Sequence, residues 1–474
     1  MAFWDRRKSL EVVEHEDEGQ RLRRSLSWPH LIGLGVGAIV GTGIFVLIGT
    51  GAHLAGPGVL LSFLIVGVVC ACAALAYAEV STLIPASGSA YTYTYSVLGE
   101  LLAWIVGWSL ILEYSLVVTA VAIGWSGYAS TFLGGAGLDL PQALLAGPFA
   151  TGPDGAALGG VLNLPAIFII GVVTLLLVVG TRESATVNAG LVLVKLAALV
   201  LFVALTIPAF DPAKLDPFLP YGFGGPFQPR GVMAAAAIIF FAFYGFDAIS
   251  TAAEETKNPG RDLPIGILGS MVLCTIIYII VAAAAVGAVP FRAFANSPET
   301  LALILREIGE PTAAKWIAGA AVIAFPTVLL AFLFGQSRIF YVMARDGLLP
   351  ARLSRVNPKT RTPVLVTVAT AVVLAVLAGL LPIDKAAALA NAGTLAAFIA
   401  VSTCLLVLRA RSPQLPRVFR APLAWPVGLI AIGGCLYLFA SLPRDTQLLF
   451  FVWNVAGLVV YGLYGMRRSR LATA

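Results

Sequence analysis

The chain has 474 residues, of which 59% are hydrophobic and only 11% are charged, and its mean hydropathy is +0.93. A soluble protein carries roughly 25% charged residues, so this composition excludes an ordinary soluble protein and indicates a polytopic membrane protein. The net charge of +6 does not indicate a nucleic-acid-binding protein, because the basic residues fall in short loops between apolar runs, where they orient helices.

Twelve apolar runs are long enough to cross about 30 Å of hydrocarbon, which takes roughly 20 helical residues. The runs cover residues 31–54, 58–82, 98–129, 164–180, 186–208, 230–255, 264–288, 312–341, 363–381, 386–408, 422–441 and 446–465. Most of the 30 Lys and Arg residues lie in loops that share a side with both termini. The positive-inside rule therefore predicts cytoplasmic termini and a multi-pass protein of the inner or plasma membrane. The charged start of the chain predicts no cleavable signal peptide.

Two of these runs contain glycines at mid-span. The first run contains Gly41, Thr42 and Gly43, and the sixth contains Gly245 beside Asp247. Irregular backbone at membrane depth is tolerated only where it lines a cavity or is buried in protein. Each interruption lies in the first run of a set of five, runs 1 to 5 and runs 6 to 10. Interruptions at corresponding positions of two halves indicate a secondary transporter built from an inverted repeat, with its substrate site at the breaks. Close glycine packing is the alternative explanation for either break.

The two breaks expose opposite ends of the peptide dipole. A helix that starts after Gly43 offers free N–H groups and a positive dipole end to a carboxylate. The carbonyls around Phe241 to Tyr244 would accept hydrogen bonds from an ammonium group. The pattern therefore predicts a site for an α-amino acid.

Three ionisable residues lie at membrane depth, where such residues mark ion paths, proton relays or ligand pockets. Lys195 is near the middle of the run 186–208, Glu113 is in the third run and Asp247 is in the second break. Glu113 is expected either near the pocket or in a structural bond to a neighbouring helix. Asp247 is expected, like Gly245, to have a structural role at the break, capping freed backbone donors. The alternating Tyr and Thr residues 91–95 have the period of a strand, but their position favours an interfacial helix or re-entrant loop.

The chain resembles the amino acid-polyamine-organocation (APC) superfamily, and within it the bacterial homologues of the cationic amino acid transporters. The resemblance rests on five blocks, at Gly35–Phe45, Ala76–Tyr95, Gly107–Tyr114, Phe240–Pro259 and Arg338–Pro350. It implies an all-α membrane protein of the LeuT-like fold, with twelve transmembrane helices, of which the first and sixth are discontinuous. The implied organisation is a cytoplasmic tail at 1–30, inverted repeats at 31–208 and 230–408, two peripheral helices within 422–465, and a cytoplasmic tail at 466–474.

The same resemblance implies roles for individual residues. The substrate carboxylate would bind at Gly41, Thr42, Gly43 and Ile44. The carbonyls near Phe241, Ala242 and Tyr244 would hold its amino group, and Phe246 would help to close the pocket, although a core or lipid-facing position is the alternative.

Lys195 matches a lysine that takes the place of a sodium ion in proton-coupled members of the superfamily. Val328–Gly335 in the eighth run contains no Ser or Thr that could coordinate sodium, which agrees with protons as the coupling ion. The alternative is that the amine is a permanent tether, hydrogen-bonded to carbonyls of the first break.

The expected function is proton-coupled uptake of L-amino acids by alternating access. The resemblance also implies that a position of the eighth run facing the pocket limits the length of the substrate side chain, and spacing from Arg338 puts this position at or near Phe325. A phenylalanine there should block long cationic side chains and favour small neutral substrates such as alanine, with broad tolerance. The alternatives are a cationic amino acid or polyamine carrier or exchanger, and a non-transporting amino acid sensor. No partnered nucleophile, metal cluster or phosphate loop is evident, so neither an enzyme nor a metal or other cofactor is expected. The expected partners are an L-amino acid, protons and membrane lipids, without nucleic acid, and the chain is expected to be monomeric.

Overall fold

The computed structural model describes residues 6–8, 26–84, 88–135, 137–138, 140–151, 156–179, 185–251, 256–294, 297–355, 357 and 363–473. Within these residues the secondary structure is helical, apart from isolated β-bridges at Leu26–Thr256 and Thr151–Ala157. The helices of eight residues or more are α1 (Trp28–Ile39), α2 (Ile48–Ala55), α3 (Val59–Leu83), α4 (Ser89–Val97), α5 (Glu100–Gly134), α6 (Leu164–Val179), α7 (Ala185–Thr206), α8 (Val232–Ile239), α9 (Pro259–Ala288), α10 (Thr300–Glu307), α11 (Pro311–Arg345), α12 (Val364–Leu380), α13 (Ile383–Arg411), α14 (Ala424–Ala440) and α15 (Arg444–Val460).

Seven helical stretches of the described chain are long and apolar enough to cross a membrane: Gly43–Leu83, Glu100–Gly134, Ala189–Ala209, Pro259–Ala288, Pro311–Arg345, Ile383–Arg411 and Arg444–Arg468. Five further apolar helices are shorter: Trp28–Ile39, Leu164–Val179, Val232–Phe243, Val364–Leu380 and Ala424–Ala440. Each of the twelve apolar runs of the sequence thus contains helix. By length and composition alone, the seven longer stretches qualify as membrane-spanning helices, whereas the five shorter ones do not.

The long helix α5 lies at the centre of the bundle, packed against α11 and α13. Pro326, inside α11, has no N–H and leaves the carbonyl of Val322 without its helical partner. The indole N–H of Trp125 on α5 donates to that carbonyl at 2.9 Å. Gly393 on α13 lets the helices approach closely on the other side, because a Cβ there would lie 2.9 Å from Cβ of Glu113.

Both described ends of the chain lie at one end of the bundle, which we call the terminal end. Arg6 donates to the carboxylate of Glu100 at 3.3 Å and to the carbonyl of Met466 at 3.0 Å. At the same end the fully buried carboxylate of Glu79 accepts from Arg409 at 2.7 Å and Arg417 at 2.9 Å. These ion pairs fasten the loops around α3, α5 and α13.

The alternating Tyr and Thr residues 91–95 lie in α4, a buried helix at the terminal end. Tyr91 donates to Asp346 at 2.9 Å, and Tyr95 donates to Glu100 at 2.9 Å. Because the helix is buried on several sides, its two-residue periodicity does not distinguish an inner from an outer face.

Candidate functional site

The first break lies between α1 and α2. Helix α1 ends at Ile39, and Val40 is extended, with ψ 102°. Helical geometry resumes at Thr42, and the residues Gly43–Leu47 form a π-helical turn that leads into α2. The first N–H groups of a helix have no intrahelical acceptor, so the amides of Thr42, Gly43 and Ile44 form a positively polarised surface. The helix therefore starts slightly earlier than the sequence pattern indicated, and with a wider turn.

The second break follows α8. The helix ends at Ile239, a 3₁₀ turn covers Phe240–Phe243, and Tyr244 is extended with ψ 151°. Gly245 has φ 109°, a conformation that residues with a Cβ rarely adopt. Its N–H donates to Oδ1 of Asp247 at 3.2 Å. The carboxylate of Asp247 thus holds the turn that interrupts this helix.

The two breaks contact each other directly, at two glycines. A Cβ on Gly43 would lie 2.3 Å from Cα of Ala242, and one on Gly245 would lie 2.6 Å from Cβ of Ala38. Both distances are too short for any residue larger than glycine. Gly41 differs, since a Cβ there would meet only Val328 Cγ2, at an ordinary 3.4 Å. The amide end of one break therefore lies beside the carbonyl end of the other.

Three side chains from other helices hydrogen-bond the carbonyls that precede the breaks. Before the first break, Lys195 Nζ donates to the carbonyl of Gly37 at 2.8 Å, and the hydroxyl of Tyr278 donates to that of Ile39 at 2.8 Å. Before the second break, Asn391 Nδ2 donates to the carbonyls of Ala237 at 2.6 Å and Ile238 at 3.1 Å. The hydroxyl of Tyr244 also donates to Asn391 Oδ1. These bonds satisfy carbonyls that a continuous helix would have paired.

Lys195 connects three helices. Its side chain is 1% exposed, and besides the carbonyl of Gly37 on α1 its Nζ lies 3.3 Å from the hydroxyl of Thr327 on α11. Thr327 immediately precedes the Val328–Gly335 segment in which the sequence showed no hydroxyl. The argument from that segment therefore missed a hydroxyl of α11 that contacts the amine.

Sequence reasoning also missed Tyr278 and Asn391. Both are polar residues inside apolar runs, and that is the signal that could have identified them, because a buried polar group in a membrane needs a partner. Thr327 carried a similar signal beside Pro326. None of the three contacts is visible in local sequence.

Glu113 lies on α5 with its carboxylate 1% exposed. Its Oε2 has no hydrogen-bond partner among the described residues, and Gly393 of α13 packs against its Cβ. The electrostatic neighbours of Glu113 include Asp247 and Tyr244 of the second break. Glu113 therefore lies on the α13 side of the site, whereas Lys195 lies on the α7 and α11 side.

The aromatic candidates fall into separate clusters. Phe325 packs with Phe45 and Tyr128, at ring-centroid distances of 5.5 and 5.8 Å. The hydroxyl of Tyr128 donates to the carbonyl of Phe45 at 2.6 Å. We call these three buried rings the outer cluster, because they lie beyond the first break from the terminal end.

Phe246 lies in another cluster, 5.0 Å from Phe398 and 5.8 Å from Tyr77. Its ring is fully buried between α3 and α13. Phe241 and Ala242 lie at the breaks, since the ring of Phe241 packs at a tilt against that of Tyr244, with centroids 4.9 Å apart, and Ala242 contacts Gly43. The structure thus brings the backbone candidates together and places Phe246 beside them in the core.

Known proteins are similar to this sequence over most of its length. A family model described as amino acid permease matches residues 26–463. The branched-chain amino acid permease BcaP of Bacillus subtilis (strain 168) is 45% identical over 473 residues, which cover 98% of each chain. The methylthioribose transporter of the same organism is 41% identical over 472 residues, covering 99% of this chain and 100% of the relative. The vacuolar cationic amino acid transporter 4 of Arabidopsis thaliana is 38% identical over 414 residues, covering 86% and 67%.

These relatives are permeases and transporters, and the match spans both helix breaks and the helices that hold them. The predicted resemblance is confirmed, and the chain belongs to the amino acid permease family of the APC superfamily, as an integral, multi-pass membrane transporter of amino acids.

Proposed function

We propose that this protein is a proton-coupled secondary transporter that takes up small neutral L-amino acids, such as alanine, by alternating access. It would act in the plasma membrane as a LeuT-like fold of twelve spans, with its terminal end in the cytoplasm. The observation that carries the proposal is the direct contact between two helix breaks, at Gly43–Ala242 and Gly245–Ala38. That contact sets the amides at the start of one helix next to the carbonyls of the other break, inside the bundle.

The substrate is held by backbone groups. The amides of Thr42, Gly43 and Ile44 would bind its carboxylate, because a helix N-terminus is a ready anion site. The carbonyls near Phe241, Ala242 and Tyr244 would accept its ammonium group. Both charged ends of the zwitterion are then bound by backbone dipoles and not by charged side chains. Such binding suits a transporter, because the substrate must also be released.

The proton would be carried by Lys195. Its Nζ reaches the carbonyl of Gly37 at 2.8 Å, and Ala38, the next residue, contacts Gly245 of the second break. A change in the charge of the amine would therefore act on the end of α1 that contacts the second break. One proton moving across 100 mV supplies about 2.3 kcal/mol. At about 1.4 kcal/mol per tenfold, this is on the order of fifty-fold accumulation, so one proton per substrate suffices.

Two observations bear on the choice of substrate. The buried ring of Phe325, 5.5 Å from that of Phe45, limits room for a long side chain just beyond the first break, which supports small neutral amino acids over arginine or lysine. Branched-chain amino acids are the second candidate, because the BcaP relative shares 45% identity over 98% of the chain.

Counterflow in proteoliposomes tests the proposal. Radiolabelled alanine should accumulate in vesicles preloaded with unlabelled alanine, and an inward proton gradient without preloading should drive net uptake that rises as external pH falls. Competition by valine, leucine, arginine and methylthioribose ranks the other substrates. Uptake that depended on sodium and ignored pH would overturn the coupling, and the absence of alanine counterflow would overturn the substrate.

A further inference from the structure

A groove of about 630 Å³ runs along the surface of the bundle where α14 and α15 meet. We call it the peripheral groove. It lies away from the terminal end, because α15 begins in the groove and leads to Tyr461, which bonds Glu100. Its volume is in the range of about 300–1,000 Å³ that ligand pockets have. The described lining includes Phe439 of α14 and, on α15, Arg444, Leu448, Phe450, Phe451 and Asn454.

The peripheral groove has the length of one membrane leaflet. Its lining follows α15 for ten residues, from Arg444 to Asn454, which is about 15 Å at 1.5 Å per residue. The hydrocarbon core of a bilayer is about 30 Å thick, so the groove matches half of it. Leu448 and Phe451, each 66% exposed, make the surface apolar over this length. The groove therefore suits an acyl chain of one leaflet.

Arg444 places a positive charge at one end of the groove. Its exposed guanidinium lies 5.8 Å from the ring centroid of Phe227, and it makes no hydrogen bond or ion pair with the described residues. A cation over the face of a ring keeps N–H donors for another acceptor. The amide N–H groups of Gln447 and Asn454 donate instead to carbonyls of the protein. Arg444 is therefore the donor that the groove offers to an anion.

The surroundings of Arg444 place this charge at the level of the lipid head groups. The next residue, Asp445, pairs with Lys385 at 3.1 Å, and their side chains are 52% and 58% exposed. Charged residues are rare at the depth of the hydrocarbon, so this pair marks the water-facing end of α15. Asp384 and Asp445 line a neighbouring cavity that Arg444 also borders, but neither lines the groove. The groove is thus positive at its polar end and apolar along its length.

We propose that the peripheral groove binds one anionic phospholipid, with its phosphate on Arg444 and one acyl chain along α15. A guanidinium can form two parallel hydrogen bonds to a phosphate, and basic residues near the membrane surface attract anionic lipids. The inference does not depend on the proposed transport function.

A second copy of the chain fits the groove less well than a lipid. A two-fold axis normal to the membrane would bring the Arg444 side chains of both copies to the same depth. The described lining also contains no Gly, Ala, Ser or Thr, the small residues that let membrane helices approach closely. A lipid meets neither obstacle, because its phosphate opposes the charge and its chain adapts to the rings.

Native mass spectrometry of the full-length, delipidated protein in detergent tests the site. Phosphatidylglycerol and phosphatidylcholine with the same acyl chains are titrated separately, and the dissociation constant of the first bound lipid is measured. The wild type should bind phosphatidylglycerol about five-fold more tightly, equivalent to about 1 kcal/mol. Arg444→Gln should reduce this preference to less than two-fold, and Arg444→Lys, which keeps the charge but loses the two-pronged contact, should retain part of it.

A second variant tests the acyl chain. Leu448→Trp fills the groove at an exposed position and should weaken the binding of both lipids by a similar factor. Its matched control is Leu463→Trp, at a position that is 72% exposed near the other end of the same helical stretch. This control should bind both lipids like the wild type.

Arg292→Gln is the matched control for the charge. Arg292 follows the end of α9 away from the terminal end, and its guanidinium also lies beside a ring, 5.7 Å from the centroid of Phe291, but outside the groove lining. It should keep the five-fold preference.

Three results would overturn the proposal. The first is an unchanged preference in Arg444→Gln, and the second is an equal loss in Arg292→Gln, which would show a general attraction of the basic surface. The third is a dimer of the wild type that Leu448→Trp dissociates and Leu463→Trp does not, which would make a second copy the occupant.

Discussion

The contact between Gly43 and Ala242 can be tested with one methyl group. In Gly43→Ala the added Cβ would lie 2.3 Å from Cα of Ala242, whereas ordinary contacts begin at 3.4 Å. The two breaks must then separate by the difference, about 1.1 Å, and backbone must move because the obstacle is a Cα atom. Overpacking of this kind costs typically about 1–3 kcal/mol, and a displacement of about 1 Å at a site of chemistry can lower a rate by 10²-fold.

We therefore expect Gly43→Ala to lower the efficiency of alanine uptake by at least about ten-fold, with a smaller loss of thermal stability. Uptake is measured as initial rates over a range of alanine concentrations in proteoliposomes, and stability as the melting temperature in detergent. A drop in uptake at nearly unchanged melting temperature would locate the damage at the site.

Two glycines of the same region serve as controls. Gly33, earlier on α1, has nothing within 4 Å of an added Cβ, so Gly33→Ala should transport like the wild type. Gly41→Ala meets only Val328 Cγ2, at 3.4 Å, so it should fold normally and lose uptake only because the methyl group occupies substrate space. Normal alanine uptake by Gly43→Ala would refute the claim that close contact between the breaks forms the site.

Four other substitutions test separate parts of the structure, and a fifth, Asp445→Asn, is a control. Lys195→Ala should abolish the accumulation of alanine that a pH gradient drives. Retained alanine counterflow in this variant would show that the substrate site survives, and accumulation equal to that of the wild type would contradict proton coupling through Lys195. Phe325→Ser should admit arginine as a competitor of alanine uptake, and a variant that still excludes arginine would remove Phe325 as the size filter. Tyr278→Phe leaves a buried carbonyl unpaired and should cost about 1–3 kcal/mol of stability, read from the melting temperature. Glu79→Gln leaves two largely buried arginine side chains, 10% and 5% exposed, without their carboxylate and should cost roughly 3–5 kcal/mol, whereas Asp445→Asn, in a pair whose side chains are 58% and 52% exposed, should change little.

The interruptions in the helices were accessible from sequence because their causes are local. Gly41 and Gly43 lower helical propensity within three residues of each other, and Gly245 stands beside a carboxylate that can hold its amide. The membrane supplies the remaining constraint, since it forbids irregular backbone except inside protein or along a cavity. Composition, glycine spacing and one physical rule about lipid therefore identify the segments of interest.

The partners of the breaks were not accessible, because they depend on how helices distant in sequence are aligned. Thr327 is 132 residues from Lys195, and Asn391 is 154 residues from Ala237. Which residue of α13 faces α8 depends on how α13 is aligned in the bundle, for example where Gly393 packs against Glu113 of α5, and small residues allow several such alignments. Local pattern could therefore identify Asn391 as a polar residue in need of a partner, but not name that partner.

The position of the Phe246 ring was harder to predict than that of Phe241 because an irregular turn lies between them. Both are aromatic residues of one interrupted helix, yet Phe241 packs against Tyr244 at the break and Phe246 packs against Phe398 and Tyr77. The positive φ of Gly245 lies between them and turns the chain, so helical spacing from one ring does not carry over to the other. Side-chain direction after an irregular turn has to be observed.

Proton and substrate are expected to act on the same short piece of chain. Lys195 bonds the carbonyl of Gly37, Ala38 contacts Gly245, and the amide of Gly245 is held by Asp247. The amides proposed for the carboxylate begin at Thr42, only a few residues beyond Ala38. Loss of a proton from the amine weakens its bond to Gly37, and a displaced Ala38 would disturb both breaks at once. Coupling in this protein would then need no long-range pathway, because the coupling residue Lys195 bonds the end of α1 and the binding amides start only five residues later, at Thr42.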